Sequence, residues 1–261
     1  MTFNDKYRIF YPLIILSVPI SFIVAYNTSW WWLIFGFIWF RIVGILFVSI
    51  GLHRYFAHRS FKTGPKRHIM LVLGSVLTGN GSPITFTTKH LHHHKHSDKE
   101  LDIHSPKDGI LHSAFLWPMG THKWFFEIKQ AKIPMFILKD RLINKVHNNY
   151  FLIWCSLALI LFLIDWKLPL FFLAFPAGMS VLVGNTLINC LNHLKIPGSY
   201  RNYDTNDTSY NNKWIQWIET GEGYHNNHHQ NMIDYNFARM PGEVDPCAWI
   251  IDKFLKVNVN E

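Results

Sequence analysis

Apolar residues gather into four long runs, and polar residues crowd between and after them. Ile9 to Tyr26 holds no charged residue, and Trp30 to Ile50 holds only Arg41. Phe151 to Ile164 holds none, and Leu168 to Leu194 holds none apart from the ionisable ring of His193. A helix needs roughly 20 mainly apolar residues to cross a bilayer core. The first, second and fourth runs meet that length, and the third meets it by beginning near Val146. Helices that are apolar all round belong in a membrane or a large core, and a chain of 261 residues is too short to bury four of them. The pattern predicts an all-α membrane protein with spans over about 9–26, 30–50, 147–164 and 168–190.

Asn27-Thr28-Ser29 joins the first two runs, and Asp165-Trp166-Lys167 joins the last two. Connections this short predict two antiparallel helical hairpins. The loop 51–146 and the tail 193–261 then share one side of the membrane with the N-terminus. The loop holds fifteen Lys or Arg and the tail six, whereas the two turns hold Lys167 alone. Lys6, Arg8, Arg54 and Arg59 flank the first two spans on that side. The positive-inside rule makes it cytoplasmic. The chain therefore reads as a single integral-membrane domain, 1–261, with four spans, a cytoplasmic helical cap and both termini in the cytoplasm. Ile69 to Leu77 is apolar but too short to span, and is expected to lie at the interface or to be buried.

Composition sharpens this. The chain is 49% hydrophobic and only 16% charged, where a soluble domain carries about 25% charge. The net charge of +8 concentrates in the cytoplasmic loop, where anionic lipid head groups account for it better than nucleic acid does. Cys155, Cys190 and Cys247 show no paired spacing and no disulfide framework.

The chemistry lies in histidine. Most of the sixteen His fall in three clusters: His53 to His58, His90 to His96, and His225 to His229. Neutral imidazole is the commonest metal ligand. On a helix, His90, His93 and His94 share a face, as do His225, His228 and His229, so each triple can aim at one point. His53 and His58, five apart, stand about 140° apart on an α-helix and suit two adjacent metals better than one. His193 ends the fourth run, one turn after Asn189. Nine candidates exceed the ligand set of one transition metal and point to two. Spacing alone leaves open whether His92 and His96 belong. His68, His104, His112, His122 and His147 are isolated and read as interface or hydrogen-bonding residues. All-imidazole ligation without thiolate suits Fe, Zn or Cu.

With those motifs in hand, the chain resembles the membrane fatty-acid desaturases of the acyl-CoA Δ9 type, in a bacterial-like form. GLHRYFAHRSFK is similar to that family's first box, His90-Leu-His-His93-His94 to its second, Asn189-Cys-Leu-Asn-His193 to its NxxxH element and GEGYHNNHH to its last box. Asp102-Ile-His104-Ser-Pro and Glu243-Val-Asp245-Pro246 also match, and Lys89, His92 and the stretch Ile196 to Ser199 depart. The resemblance implies two iron ions on His53, His58, His90, His93, His94, His193, His225, His228 and His229. It places Asn189 near one iron through water, and makes His92 and His96 non-ligands.

It also implies O2-dependent desaturation, removing hydrogen from two adjacent methylenes of a fatty acyl chain to leave a cis double bond, with Δ9 as the family's usual position. No catalytic residue beyond the metal centre is implied. Glu222 and Asp98 become candidates for orienting ligand rings through their second nitrogen. Arg41, a charge inside a span, becomes a candidate substrate contact or a partner for a carbonyl. No haem, Fe–S or dinucleotide motif appears, so electrons must come from a ferredoxin or cytochrome-type donor. The expected partners are therefore a fatty acyl substrate on CoA, carrier protein or lipid, that donor and membrane lipid, with no nucleic acid. The expected location is a bacterial inner membrane. Rival readings are a related His-rich hydroxylase or ketolase of alkyl or isoprenoid substrates, and a non-catalytic metal-binding or transport protein. The last would need polar groups in several spans.

Overall fold

The computed structural model describes residues 2–120, 133–219 and 221–257. Four helices are long and apolar enough to cross a membrane: α1 (Phe3–Asn27), α2 (Trp31–Ala57), α6 (Arg141–Ile164) and α7 (Pro169–His193). Between them lie α3 (Pro65–Thr78), α4 (Pro83–His96) and α5 (Met135–Lys139). After them come α8 (Lys213–Ile218), α9 (His225–Gln230) and α10 (Pro246–Ile250). The strands Ser199–Tyr200 and Asn211–Asn212 pair antiparallel in the tail.

The four long helices outrun the apolar runs. The α2 helix continues past Ile50 to Ala57 and carries His53, and α6 begins at Arg141 rather than near Val146. Caps set these starts better than hydropathy does. Asp140 Oδ1 accepts from the backbone N–H of Leu142 (2.8 Å) and Ile143 (2.9 Å), meeting donors that a helix start leaves free. Thr2 and Asp5 form a reciprocal capping box at α1.

Apolar side chains outside the packed core fit a membrane protein. Leu13, Leu16 and Ile23 of α1 and Leu152, Leu159 and Leu163 of α6 are more than half exposed, a band that a soluble monomer would not leave in water. Two of the clusters in which the inner faces meet position the site. Tyr7, Tyr11 and Ile14 of α1 pack on Ala177 and Val181 of α7. The crossing is close because Gly178 has no side chain; a methyl group there would collide with the Ile14 carbonyl. The second cluster joins Val43, Phe47, Leu52 and Phe56 of α2 to Leu71 and Val76 of α3 and to Ile143, Val146 and Tyr150 of α6.

The segment Ile69–Leu77 lies within α3, which meets α4 at 78° across Gly79 and Gly81. Tyr7 donates to the Gly79 carbonyl at 2.7 Å and pins that corner to α1. The bend turns α4 so that its histidines face the far ends of α2 and α7.

Candidate metal centre

Nine ring nitrogens converge on two points. One group is His53, His58, His90, His94 and His228; the other is His93, His193, His225 and His229. Within each group the ligand atoms lie within 4.8 Å of one another.

The grouping corrects two expectations from spacing. His53 and His58 share one group rather than serving two. The stretch Gly44–Ala57 winds with i→i+5 hydrogen bonds, and His58 N–H bonds to the His53 carbonyl at 3.1 Å. This wider turn brings position i+5 back beside position i, which a 3.6-residue turn would not. Each triple also divides instead of aiming at a single point. On a regular helix, residues four apart differ by about 40°, while neighbours differ by about 100°. His90 and His94 therefore stay together and His93 turns to the second group. In α9, His225 and His229 stay together and His228 crosses to the first.

The arrangement fits metal ions. In the first group Nε2 faces Nε2 at 3.1 Å (His53 and His228), 2.6 Å (His58 and His90), 2.9 Å (His90 and His94) and 3.0 Å (His94 and His228). Two nitrogens at about 2.1 Å from one ion, at right angles, stand about 3.0 Å apart. A proton can bridge one such pair at a time, whereas a cation satisfies all five rings. In the second group, His193 Nε2 and His225 Nε2 lie 3.0 Å apart, and the buried Nε2 atoms of His93 and His229 have no hydrogen-bond partner among the described residues.

Carboxylates fix which nitrogen is free. Glu222 Oε2 is 2.6 Å from His53 Nδ1, and Asp98 Oδ2 is 2.8 Å from His193 Nδ1. Asp102 Oδ1 is 3.0 Å from His93 Nδ1, and Asp207 Oδ2 is 2.8 Å from His229 Nδ1. His93, His193 and His229 hydrogen-bond to these carboxylates through Nδ1, and Glu222 lies against the same atom of His53, an arrangement that turns each Nε2 toward the group. Burial raises the Asp98, Asp102 and Asp207 carboxyls. The facing rings and hydrogen bonds from Thr208, the Asp98 N–H and Ser209 outweigh it and hold all three well below the usual range. Glu222, also buried, falls to about 2 beside His53 and Arg54. Burial, then neighbouring rings, pushes His90, His94, His225 and His228 well below ordinary imidazole, and burial takes His229 to about 4. Neutral rings are the ligating form. For His93, Asp102 outweighs burial and the shift is upward; a cation at Nε2 would take that proton's place.

A buried framework holds the rings. Arg54, fully enclosed, donates to Glu222 (2.9 Å), Asp245 (3.0 Å), the Tyr235 carbonyl (2.9 Å) and the Gly221 carbonyl (3.0 Å), and also to Ser49. It thereby ties α2 to the tail. Asp245 in turn caps α10 through the Cys247 N–H at 3.0 Å. The Asn pair inside α9 is structural. Asn226 Oδ1 accepts from the N–H groups of Asn202 (3.0 Å) and Tyr203 (2.9 Å), and Asn227 Nδ2 donates to Glu243 at 2.9 Å. Gly223 passes so close to the Gln216 backbone that any side chain would collide.

The other sequence candidates fall as follows. Asn189 donates to Asn185 Oδ1 at 3.1 Å and lines both cavities beside the rings. Arg41 donates to the Ile218 carbonyl at the end of α8 and lines neither cavity. His92 bonds to the Leu101 carbonyl at 2.8 Å, and its ring lies tilted against His96 with centroids 4.7 Å apart, outside both groups. His68, His112 and His147 hydrogen-bond to Tyr55, the Ile103 carbonyl and Ser82. His104 is buried with its ring 4.2 Å from His93. His122 lies outside the described residues. Sequence reasoning missed Asp102 and Asp207 as ring partners. Asp102 sat inside a motif already noted; Asp207 sits in a polar turn, Thr205 to Ser209, whose composition fits any surface loop.

Two cavities of about 70 Å³ each adjoin the rings. One runs past Tyr7, Lys89, Trp117 and Asn185. The other descends from His53 and His225 between Val48 of α2 and Gly184 and Ile188 of α7.

The fatty acid desaturase family model matches residues 29–241. A stearoyl-lipid sn-1 9-desaturase of Anabaena variabilis is 29% identical over 252 residues, covering 94% of this chain and 89% of that protein. Its counterpart in Synechocystis is 30% identical over 234 residues, covering 88% and 70%. Delta-9 acyl-lipid desaturase 2 of Arabidopsis thaliana is 29% identical over 227 residues, covering 84% and 70%.

Proposed function

The chain belongs to the fatty acid desaturase family, and on that premise we propose that it puts a cis double bond at Δ9 of an acyl chain esterified in a membrane lipid, using two irons. The chain is a fatty acyl desaturase; the lipid carrier, the bond position and the iron are our reading. The observation that carries the iron is the pair of convergent ring groups, five and four, each with free Nε2 lone pairs. His53, His58, His90, His94 and His228 would hold one ion. His93, His193, His225 and His229 would hold the other, with Asn189 beside it through water. When bound, the irons supply O2 activation and the removal of hydrogen from two adjacent methylenes.

The protein's own part is positional. Glu222, Asp98, Asp102 and Asp207 hold four rings in the tautomer that leaves Nε2 free. A methylene offers no polar handle, so the site of attack follows from where the chain lies. Phe86, Val48 and Ile188 give the cavity beside the rings an apolar wall along which a chain can lie. Arg41 is better placed to anchor α8 against α2 than to bind substrate. The acyl-lipid and stearoyl-lipid names of the three relatives above support a lipid carrier over CoA. The basic loop supports a cytoplasmic metal site, with both termini on that side of a bacterial inner membrane. It also suits a ferredoxin or cytochrome-type donor.

The test is expression in a host without desaturases, with double-bond positions read by mass spectrometry of intact lipids. New Δ9 cis chains within lipids are expected. Hydroxylated chains in their place would refute the reading.

A further inference from the structure

Outside both site cavities, a larger hollow of about 340 Å³ opens beside α3 and α5, lined by Tyr55, Arg59, Phe61, Lys62, Phe136 and Val257. Arg59 holds a left-handed backbone, φ 53°, unusual for a side chain of its size. The N–H and hydroxyl of Ser60 stabilise that turn by donating to the Arg54 carbonyl at 3.0 and 2.9 Å. The turn lays the Arg59 guanidinium 4.6 Å over the Phe136 ring at the hollow's wall.

The rim is cationic. His68 bridges Asp140 (2.9 Å) and the Tyr55 hydroxyl (2.9 Å), which brings the start of α3 against the start of α6. Lys66 and Arg67 lie in the first turn of α3, and Lys139 and Arg141 flank Asp140 at the start of α6. Among the described residues, none of Arg59, Lys62, Lys66, Arg67, Lys139 and Arg141 has a carboxylate partner. No Asp or Glu occurs from Lys6 to Ser97. Ile69, Met70 and Leu73 of α3 and Met135 and Leu138 of α5 are exposed beside those cations. The lipid-facing surface of α6 continues this apolar band. An acidic protein would satisfy the cations but leave the apolar side chains in water. A neutral lipid would do the reverse. A ligand with a phosphate and fatty chains satisfies both.

We propose that this hollow binds an anionic phospholipid, with its phosphate on Arg59 and Lys62 and its chains along α3 and α5. It lies outside the cavities beside the histidines, and the inference does not depend on what those histidines do.

Metal-loaded, detergent-purified protein is titrated with phosphatidylglycerol or phosphatidylcholine, and bound lipid is counted by native mass spectrometry. Wild type should favour phosphatidylglycerol. R59Q/K62Q should lose about 30-fold in that affinity, and K62Q alone about fivefold, at low salt. Phosphatidylcholine binding should not change. K195Q/K213Q removes the same charge elsewhere and should keep the preference. Glycerol phosphate, which has the anion without the chains, should not compete. Four results would each overturn the proposal: no preference in wild type, full preference in R59Q/K62Q, an equal loss in K195Q/K213Q, or displacement by glycerol phosphate. Unchanged lipid preference in R59Q/K62Q with slowed reduction by an acidic donor would assign the surface to a protein instead.

Discussion

Asp207→Asn isolates the role of a single ring partner. Asp207 Oδ1 accepts from Thr205 (2.7 Å) and from the Ser209 N–H (3.0 Å) and hydroxyl (2.6 Å), while Oδ2 faces His229 Nδ1 at 2.8 Å. Asparagine keeps an oxygen for the first three bonds, so the turn should survive. Its amide then presents N–H to His229 Nδ1, which must become an acceptor. The ring proton moves to Nε2, the atom aimed into the four-histidine group. The ring must either break that hydrogen bond or stop ligating. Removing such an outer partner typically costs 10–100-fold in metal affinity, or about 1.4–2.7 kcal/mol. The loss should fall on the four-histidine group, because the five-histidine group draws its orientation from Glu222. Equilibrium dialysis of purified protein against a graded chelator, with metal counted by mass spectrometry, reads this out. One of two ions should dissociate at 10–100-fold lower chelator strength, with thermal unfolding otherwise little changed. Loss of both ions together, or an unchanged titration, would refute the tautomer argument.

Other outcomes follow from the same geometry. His228→Ala removes the one α9 ring in the five-histidine group and should abolish product and release metal from that group; full activity would sink the assignment. Arg54→Met strands two buried carboxylates, Glu222 and Asp245. It should cost about 3–5 kcal/mol, seen as poor membrane yield and a lowered melting temperature. Metal-free protein should lose stability as pH falls. Unfolded rings take up protons below about 6.5, whereas folded His229 resists until about 4 and His225 and His228 are shifted the same way. Acid therefore favours the unfolded chain, and stability present above pH 6.5 should fall between about 6.5 and 4. Melting curves across that range, with and without metal, measure the effect; a flat profile without metal would contradict it.

Much of this was legible in the residues because membrane helices announce themselves by hydropathy. The four spans and the nine convergent rings came from runs and motifs. Helix ends did not, since Asp140 and Thr2 act through caps that hydropathy does not register. The partition of rings was hidden for a different reason. Face-sharing at three and four residues assumes one target, and two targets about 100° apart divide His93 from His94. The i→i+5 winding before His58 lies where α2 packs against α3 and α4, and leaves no local signature. Asp207 was invisible because a carboxylate in a turn looks the same whether or not a ring from elsewhere in the chain arrives against it. Glu222 and Asp98 were visible only through their neighbours, each lying close in sequence to a histidine motif.

The central claim is that nine histidines form two separate metal groups. Iron counted per chain tests it most directly, in wild type and in His94→Ala and His225→Ala, each purified from cells grown with iron. The account predicts two irons in wild type, with His94→Ala weakening one group and His225→Ala the other, and no unsaturated product from either variant. A single iron in wild type, or full iron and product in either variant, would contradict it.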